Sequence, residues 1–407
     1  MRVTLLALFA AALLAVPAHA QTAVTAVLET ASNYDDEAGG DADADDPAIW
    51  VHPTRPEHSL VLGTLKNGGL TVTGLDGREV QRVATPPAPT PDAEAGRFNN
   101  VDVVTGAWIG GRKLDLAVVS DRGRDRIRVY GIDPRGARAA TPLTDLTSPA
   151  APRAFSASEA EVDEQRTAYG LAVLPDPFGG APWVVASRRS ETRIGLFRLA
   201  ADGAGKITYR AVDTEDLPAT FATSAGAWTP CADPGDRPQV EGMVVDGTVL
   251  YAAQEDVGIW RVPVGPRGFG APELVQKVRE YGQPAVFDEV TEECVPTGSP
   301  VPEAGRYLSA DAEGLAIGPN RALVASSQGD STFAVFDLRT FAHRKTFTVG
   351  DGVVDGVQHC DGAAISAAAL GPRFPRGLLV VHDGENTPSE DRENTNFKFV
   401  PLERVGL

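Results

Sequence analysis

Asp45, Asp46, Glu241, Glu255, Asp311, Glu313, Asp355 and Asp361 stand at the starts of short apolar runs or in the turns between them, five of the eight beside glycine or proline. Carboxylates placed this way, with no grouping of histidine or cysteine among them, form a hard-oxygen ligand set that suits calcium better than zinc or copper. Brought together without a cation, such like charges would raise one another's pKa and oppose folding. Lys66, Arg122 and Arg188, with Arg189 beside the last, occupy the corresponding turns of three other segments. A phosphate lying between the two groups would meet guanidinium and ammonium donors on one side and metal ions on the other. The chemistry implied is the handling of a phosphate ester with divalent cations.

Residues so far apart in sequence need a scaffold that brings them to one place. A unit made of a polar residue, then Gly, Pro or Val, then an apolar run occurs six times: Asp46 in DPAIWV, Asn100 in NVDVV, Tyr169 in YGLAVL, Glu241 in EGMVV, Glu313 in EGLAI and Asp361 in DGAAI. In each repeat a second apolar run follows and ends in a polar group, in order Lys66, Arg122, Arg188, Glu255, Gln328 and Asp383. An alternating segment comes next, as in GLTVTGL, RIRVYGI, RIGLFRL, GIWRVPV, TFAVFDL and NFKFVPL, with the period of two expected of strands. Several short strands per repeat, without a helical pattern, predict an all-β, six-bladed β-propeller with a central channel. Equivalent positions then converge at one channel mouth, so the six polar positions should form one site.

The 42 glycines and 31 prolines suit such a turn-rich fold. MRVTLLALFAAALLAVPAHA reads as a secretory signal, residues 1–20, cleaved near Ala20 and too short in its apolar core to span a bilayer. Residues 21–40 read as a polar lead-in and 41–407 as the propeller. The exported protein is expected to be soluble, in the periplasm or outside the cell, and a monomer. A formal net charge of −18 argues against nucleic acid or an anionic membrane as partner. Cys231 and Cys294 lie in Pro/Gly-rich insertions and are expected to form a disulfide that stabilises by about 4 kcal/mol in the loop-entropy model. Cys360 reads as a buried free thiol.

Other designs fit less well. DADADDPAIWVH lacks the sixth-position Gly and twelfth-position Glu of a helix-loop-helix calcium site. Cys231 and Arg237 have the spacing of a cysteine phosphatase loop, but the intervening ADPGD carries two acids that would repel phosphate and raise the thiol pKa. GTLKNGGL lacks the Lys and Ser/Thr that a nucleotide loop requires after its second Gly.

The stretches DADDPAIWVHP, FNNVDVV, Tyr169-Gly170, VEGMVVDGTVLYAAQEDVGIW, DAEGLAI, LVASSQGDSTFAVFD, Asp355 to Gly362, VVHDGEN and NFKFVP, in this order, resemble the β-propeller (alkaline) phytases over nearly all of the mature chain. The resemblance implies a calcium-dependent phosphomonoester hydrolase of 3-phytase type. Its substrate would be myo-inositol hexakisphosphate, taken as a calcium complex and attacked by a calcium-bridged water. It puts the ligands of several Ca2+ ions on Asp45, Asp46, Glu241, Glu255, Asp311, Glu313, Asp355 and Asp361. Phosphate-binding groups fall on Lys66, Arg122, Tyr169 and Arg188, and the catalytic set on Glu241, Asp311, Glu313, Lys66 and Arg122. Asn67 stands where a second Lys is common, and Gln254 where an acid is common. Two other classes remain open on the residues: a secreted calcium-binding propeller that serves as a binding module, and another channel-metal propeller hydrolase such as a lactonase, which would lack the trio of Lys66, Arg122 and Arg188.

Overall fold

The apolar runs form short antiparallel strands because their β-branched and aromatic residues pack well on a pleated surface. The computed structural model describes residues 22–177, 179–291, 293–389 and 391–407; the expected signal peptide lies outside them. Six units of four or five strands, the blades, run outward from Pro47–Trp50, Phe98–Ile109, Ala168–Leu174, Val240–Asp246, Ala312–Gly318 and Ala363–Ser366 as innermost strands. The second strands are Leu60–Thr64, Arg112–Asp121, Trp183–Arg188, Val249–Gln254, Ala322–Ser327 and Leu378–Asp383. Those of blades 1, 5 and 6 are buried along their whole length, because both faces lie against neighbouring blades. This is why the second runs read as continuous apolar stretches rather than alternating ones.

The ring is closed by pairing of the chain's two ends. Leu28 and Glu29 add to blade 6 antiparallel to Phe399 and Lys398, and Thr22–Thr25 add to blade 5 parallel to Phe347–Gly350. Part of the stretch expected as lead-in therefore belongs to the sheets, and both edges it covers are removed from solvent. A cavity of about 300 Å³ runs along the axis, lined by residues from every blade, among them Ile49, Val101, Leu171, Met243, Leu315 and Ile365. Asp46, Asn100 and Asp102 line it as well, and the polar side chains gather toward the end where the innermost strands begin.

Two glycines show how tightly the blades meet there. A Cβ on Gly242 would lie 2.0 Å from the Glu313 carbonyl oxygen of the next blade, and one on Gly362 would lie 2.5 Å from the Asp46 Cα across the closure. Gly242→Ala is therefore expected to destabilise by about 1–3 kcal/mol or more through forced separation of blades 4 and 5. Denaturant midpoints measure this, and an unchanged midpoint would contradict the contact.

Cys231 and Cys294 are disulfide-bonded, with their Cα atoms 6.0 Å apart, and Cys360 is free and buried. The bond joins the two insertions, each of which leads from an outer strand to the start of the next innermost strand and so borders the polar mouth. Phe221, Trp228 and Tyr281 pack together across the insertions. Among the described residues no helix is long and apolar enough to cross a membrane.

Candidate functional site

Four of the six innermost strands open on an irregularity that aims one side chain at the axis. In blades 2 to 5 the register slips between Phe98 and Val101, Ala168 and Leu171, Val240 and Met243, and Ala312 and Leu315. Such bulges bend the strand and redirect a side chain. The residues so redirected are Asn99, Tyr169, Glu241 and Glu313. In the next position the backbone N–H of Asn100 and Gly170 donates to a hydroxyl of the second strand, Ser120 at 2.9 Å and Ser187 at 2.8 Å, and Asp46 N–H donates to Thr64 at 3.0 Å. Asp46 and Asn100 are thus the counterparts of the glycines, and the equivalent ring is Asp45, Asn99, Tyr169, Glu241, Glu313 and Asp361. The sequence reading chose Asp46 and Asn100 because the doublets Asp45-Asp46 and Asn99-Asn100 offer two polar candidates where the other blades offer one.

Glu241, Glu255 and Glu313 each present a carboxylate oxygen within 4.8 Å of the other two. They are 3, 8 and 6 % exposed. Tyr169 Oη donates to Glu241 at 2.7 Å, and Asn99 Nδ2 donates to its other oxygen at 2.6 Å. Burial and then the neighbouring Asp361 charge push the Glu241 carboxyl up to about 7, against the hydrogen bonds from Tyr169 and Asn99 and the Lys66 charge. Burial first, then the charges of neighbouring acids, also hold Asp45, Glu255 and Glu313 well above the usual carboxylate range. Asp45 Oδ1 and Glu255 Oε1 are buried without a hydrogen-bond partner. Ligands across a calcium ion at 2.3–2.6 Å would stand about 5 Å apart, so this oxygen set fits such a cation. The donors are hard, and two of them lack any other partner.

The other predicted acids divide by location. Asp361 accepts from Gln328 Nε2 at 2.6 Å, and its backbone N–H donates to His382 Nδ1 at 3.0 Å. Asp46 lines the channel and accepts from the Val101 N–H at 3.0 Å. Asp311 faces Asp256, Glu280 and Asp361, and burial raises its pKa. Asp355 lies elsewhere. It accepts from Thr387 and pairs with Lys398, an ammonium fully buried among Glu29, Asp355 and Asp383.

The basic residues flank the acids. Lys66 pairs with Asp43. Burial alone would lower its pKa, but Asp45, Asp361 and Asp43 around it raise the ammonium above its usual value. Arg122 lies 5.7 Å from the Tyr169 ring centre and donates to Asn99 Oδ1 at 3.4 Å. Burial and the nearby Arg189 and Arg97 bring Arg122 down to about 10, still cationic at neutral pH. Arg188 turns from the axis, donating to the Arg166 carbonyl at 2.8 Å and pairing with Glu161 at 3.4 Å. Asp35, Asp41 and Asp43 form a second acidic group, two of whose members are paired, Asp43 with Lys66 and Asp41 with Arg97 at 2.8 Å.

Sequence reasoning missed Asn99, Gln239, Asp43 and Arg97. Asn99 was within reach through its doublet. Gln239 and Arg97 precede the repeated unit and carry no periodic signal.

A family model described as Phytase matches residues 1–165 and 297–406. Over 392 residues the chain is 30% identical to the 3-phytase of Bacillus subtilis (strain 168), covering 94% of this chain and 84% of that protein. Among solved structures it is similar to regucalcin, a calcium-binding protein from Agrobacterium tumefaciens, with 14% identity and a TM-score of 0.45 over 94% of this chain and 97% of the other. It is also similar to a periplasmic gluconolactonase of Pseudomonas aeruginosa, with 15% identity and a TM-score of 0.39 over 74% and 68% of the two chains. At these scores the two structures add nothing to the reading of the site.

Proposed function

This chain belongs to the phytase family and is a phytase, and from that premise we propose that it hydrolyses phytate at the channel mouth with calcium held by Glu241, Glu255, Glu313 and the acids around them. The observation that carries the reading is the buried triad of carboxylates, with oxygens within 4.8 Å of one another, facing Lys66, Arg122 and Tyr169. Asp45, Asp46, Asp311 and Asp361 would complete the ligand set for several ions, and Asp355 would serve a separate ion beside Lys398. Bound calcium would neutralise the phosphates and acidify the water that attacks phosphorus.

The chain's own residues would do the rest. A protein of formal charge −18 repels a polyanion, so the cationic donors must sit where the phosphate lands. Lys66 and Arg122 would bind its non-bridging oxygens and stabilise the charge spread over them while water attacks in line with the leaving alcohol. Tyr169, whose hydroxyl burial and neighbouring carboxylates keep protonated, would donate to a phosphate oxygen or hold Glu241 in place. Arg188 would reach an outer phosphate after leaving Glu161. No Ser or His nucleophile is needed, because phosphoryl transfer asks mainly for positioning and electrostatic stabilisation. The enzyme would work outside the cytoplasm as a soluble monomer, where its disulfide is stable.

Phosphate release from phytate, measured with calcium and with excess chelator, tests the proposal: release should require calcium, and full activity in chelator would refute it. Arg122→Ala should lower kcat/KM about 10- to 100-fold, as expected for loss of a charged hydrogen bond, while calcium binding by calorimetry stays at the wild-type level. Loss of calcium binding in that variant would contradict the division of roles.

A further inference from the structure

Several buried carboxylates elsewhere in this protein are matched by cations, although Asp125 is held by the backbone N–H groups of Phe155, Ser156 and Ala168 instead. Asp121 pairs with Arg128 at 2.9 Å, Asp176 with Arg198 at 2.8 Å and Asp383 with Lys398 at 3.2 Å. At the channel mouth the pattern changes. Among the described residues, Glu241, Glu255, Glu313 and Asp361 have no Lys or Arg within ion-pair distance, and each instead receives a hydrogen bond from a side-chain amide.

We propose that Asn99, Gln239 and Gln328 are positioning residues, neutral amides that aim Glu241, Glu255 and the Glu313–Asp361 pair at the bound cations without cancelling their charge. The inference rests on the calcium reading of the site given above. Gln328 Nε2 donates to Glu313 Oε2 at 3.3 Å and to Asp361 Oδ1 at 2.6 Å, so one NH2 group spans acids of two neighbouring blades. Gln239 Nε2 donates to Glu255 Oε2 at 3.0 Å, while its Oε1 accepts from the Ser190 backbone N–H at 2.8 Å. That backbone group can only donate, so the amide has one orientation, with its NH2 end toward Glu255. Asn99 donates to Glu241 and accepts from Arg122, linking the cationic flank to the carboxylate cluster.

An amide suits this role for a physical reason. A carboxylate has about four acceptor sites, so one amide hydrogen fixes its rotation and leaves sites for a cation; Glu255 Oε1 is left buried and unpartnered in just this way. An Arg or Lys in the same place would also fix the carboxylate, but would neutralise the charge that attracts the metal. Partners of this kind, one step out from the metal, are worth about 10- to 100-fold in affinity.

The test uses Gln328→Met, Gln239→Met and Gln328→Lys in the full chain, titrated calorimetrically with calcium chloride alone and melted in calcium and in chelator. Both Met variants should bind calcium about 10- to 100-fold more weakly and show a smaller calcium-induced rise in melting temperature than wild type. Gln328→Lys should melt higher than wild type in chelator yet gain less from calcium, since its ammonium replaces part of the metal's charge. A merely structural amide would lower both melting temperatures equally and leave the calcium increment intact. Wild-type calcium affinity in both Met variants would overturn this inference alone, and absence of calcium binding by the unsubstituted protein would overturn the metal reading and this inference with it.

Discussion

Glu241→Gln is expected to reduce turnover of phytate by on the order of 100-fold or more while the protein remains folded. Glu241 is the most connected acid of the mouth. It stands at the axis on the bulge of blade 4, accepts from Asn99 and Tyr169, and shares a 4.8 Å cluster with Glu255 and Glu313. The amide keeps the side chain's shape and one acceptor oxygen, so the strand and its contacts survive. What disappears is a unit of negative charge facing the cations. Because burial and Asp361 already disfavour that charge in the cation-free fold, the variant should melt higher than wild type in chelator at pH 8 and gain less from added calcium. Assay of kcat together with melting in chelator checks both halves; wild-type turnover, or a variant less stable than wild type in chelator, would count against the site.

The dependence of stability on pH should have opposite characters with and without calcium. The Glu241 carboxyl is raised from 4.5 to about 7 in the fold, and a raised acid favours the folded state only while protonated. Its contribution is fully present below pH 4.5 and is lost as pH rises through about 7. Asp45, Glu255 and Glu313 are shifted in the same direction, so the chelated protein should weaken steadily from acid to pH 8. Calcium binds the ionised cluster and reverses this loss, adding about 2.7 kcal/mol per site at a hundred times its Kd. The calcium increment in melting temperature should therefore be small near pH 4.5 and largest near pH 8. Asp102, raised by burial to about 6 but held by the backbone N–H groups of Val173 and Val103, weakens the fold under both conditions and cancels from the increment. An increment that does not change with pH would contradict cation binding by buried acids.

The blade count, the second strands and most of the site could be read from the sequence, because each blade repeats the same polar-to-apolar transition and burial on both faces leaves continuous apolar runs. Register was harder. In blade 2 a bulge adds a residue that the apolar pattern does not mark, and the doublets Asp45-Asp46 and Asn99-Asn100 each offer two polar candidates, so the pattern points to Asp46 and Asn100, one place beyond the equivalents Asp45 and Asn99. The orientation of Arg188 toward Glu161 and the pairing of Asp355 with Lys398 depend on loops between blades, which have no period. The same holds for the amides: Gln239 lies at the end of the Cys231 insertion, where nothing in the spacing indicates that its side chain reaches Glu255. The family model leaves residues 166–296 unmatched, yet Tyr169, Glu241 and Glu255 lie in this interval and join the same mouth. The bulges and the glycines packed behind them fix the strand starts on either side of the insertions.

The account depends on cations and phosphate meeting at one rim, and a crystal structure of the protein grown with calcium and inorganic phosphate tests it most directly. Calcium should be found coordinated by Glu241, Glu255 and Glu313, with a phosphate touching it and in hydrogen-bond reach of Lys66 and Arg122. Calcium bound only elsewhere, or phosphate settled away from these residues, would contradict it.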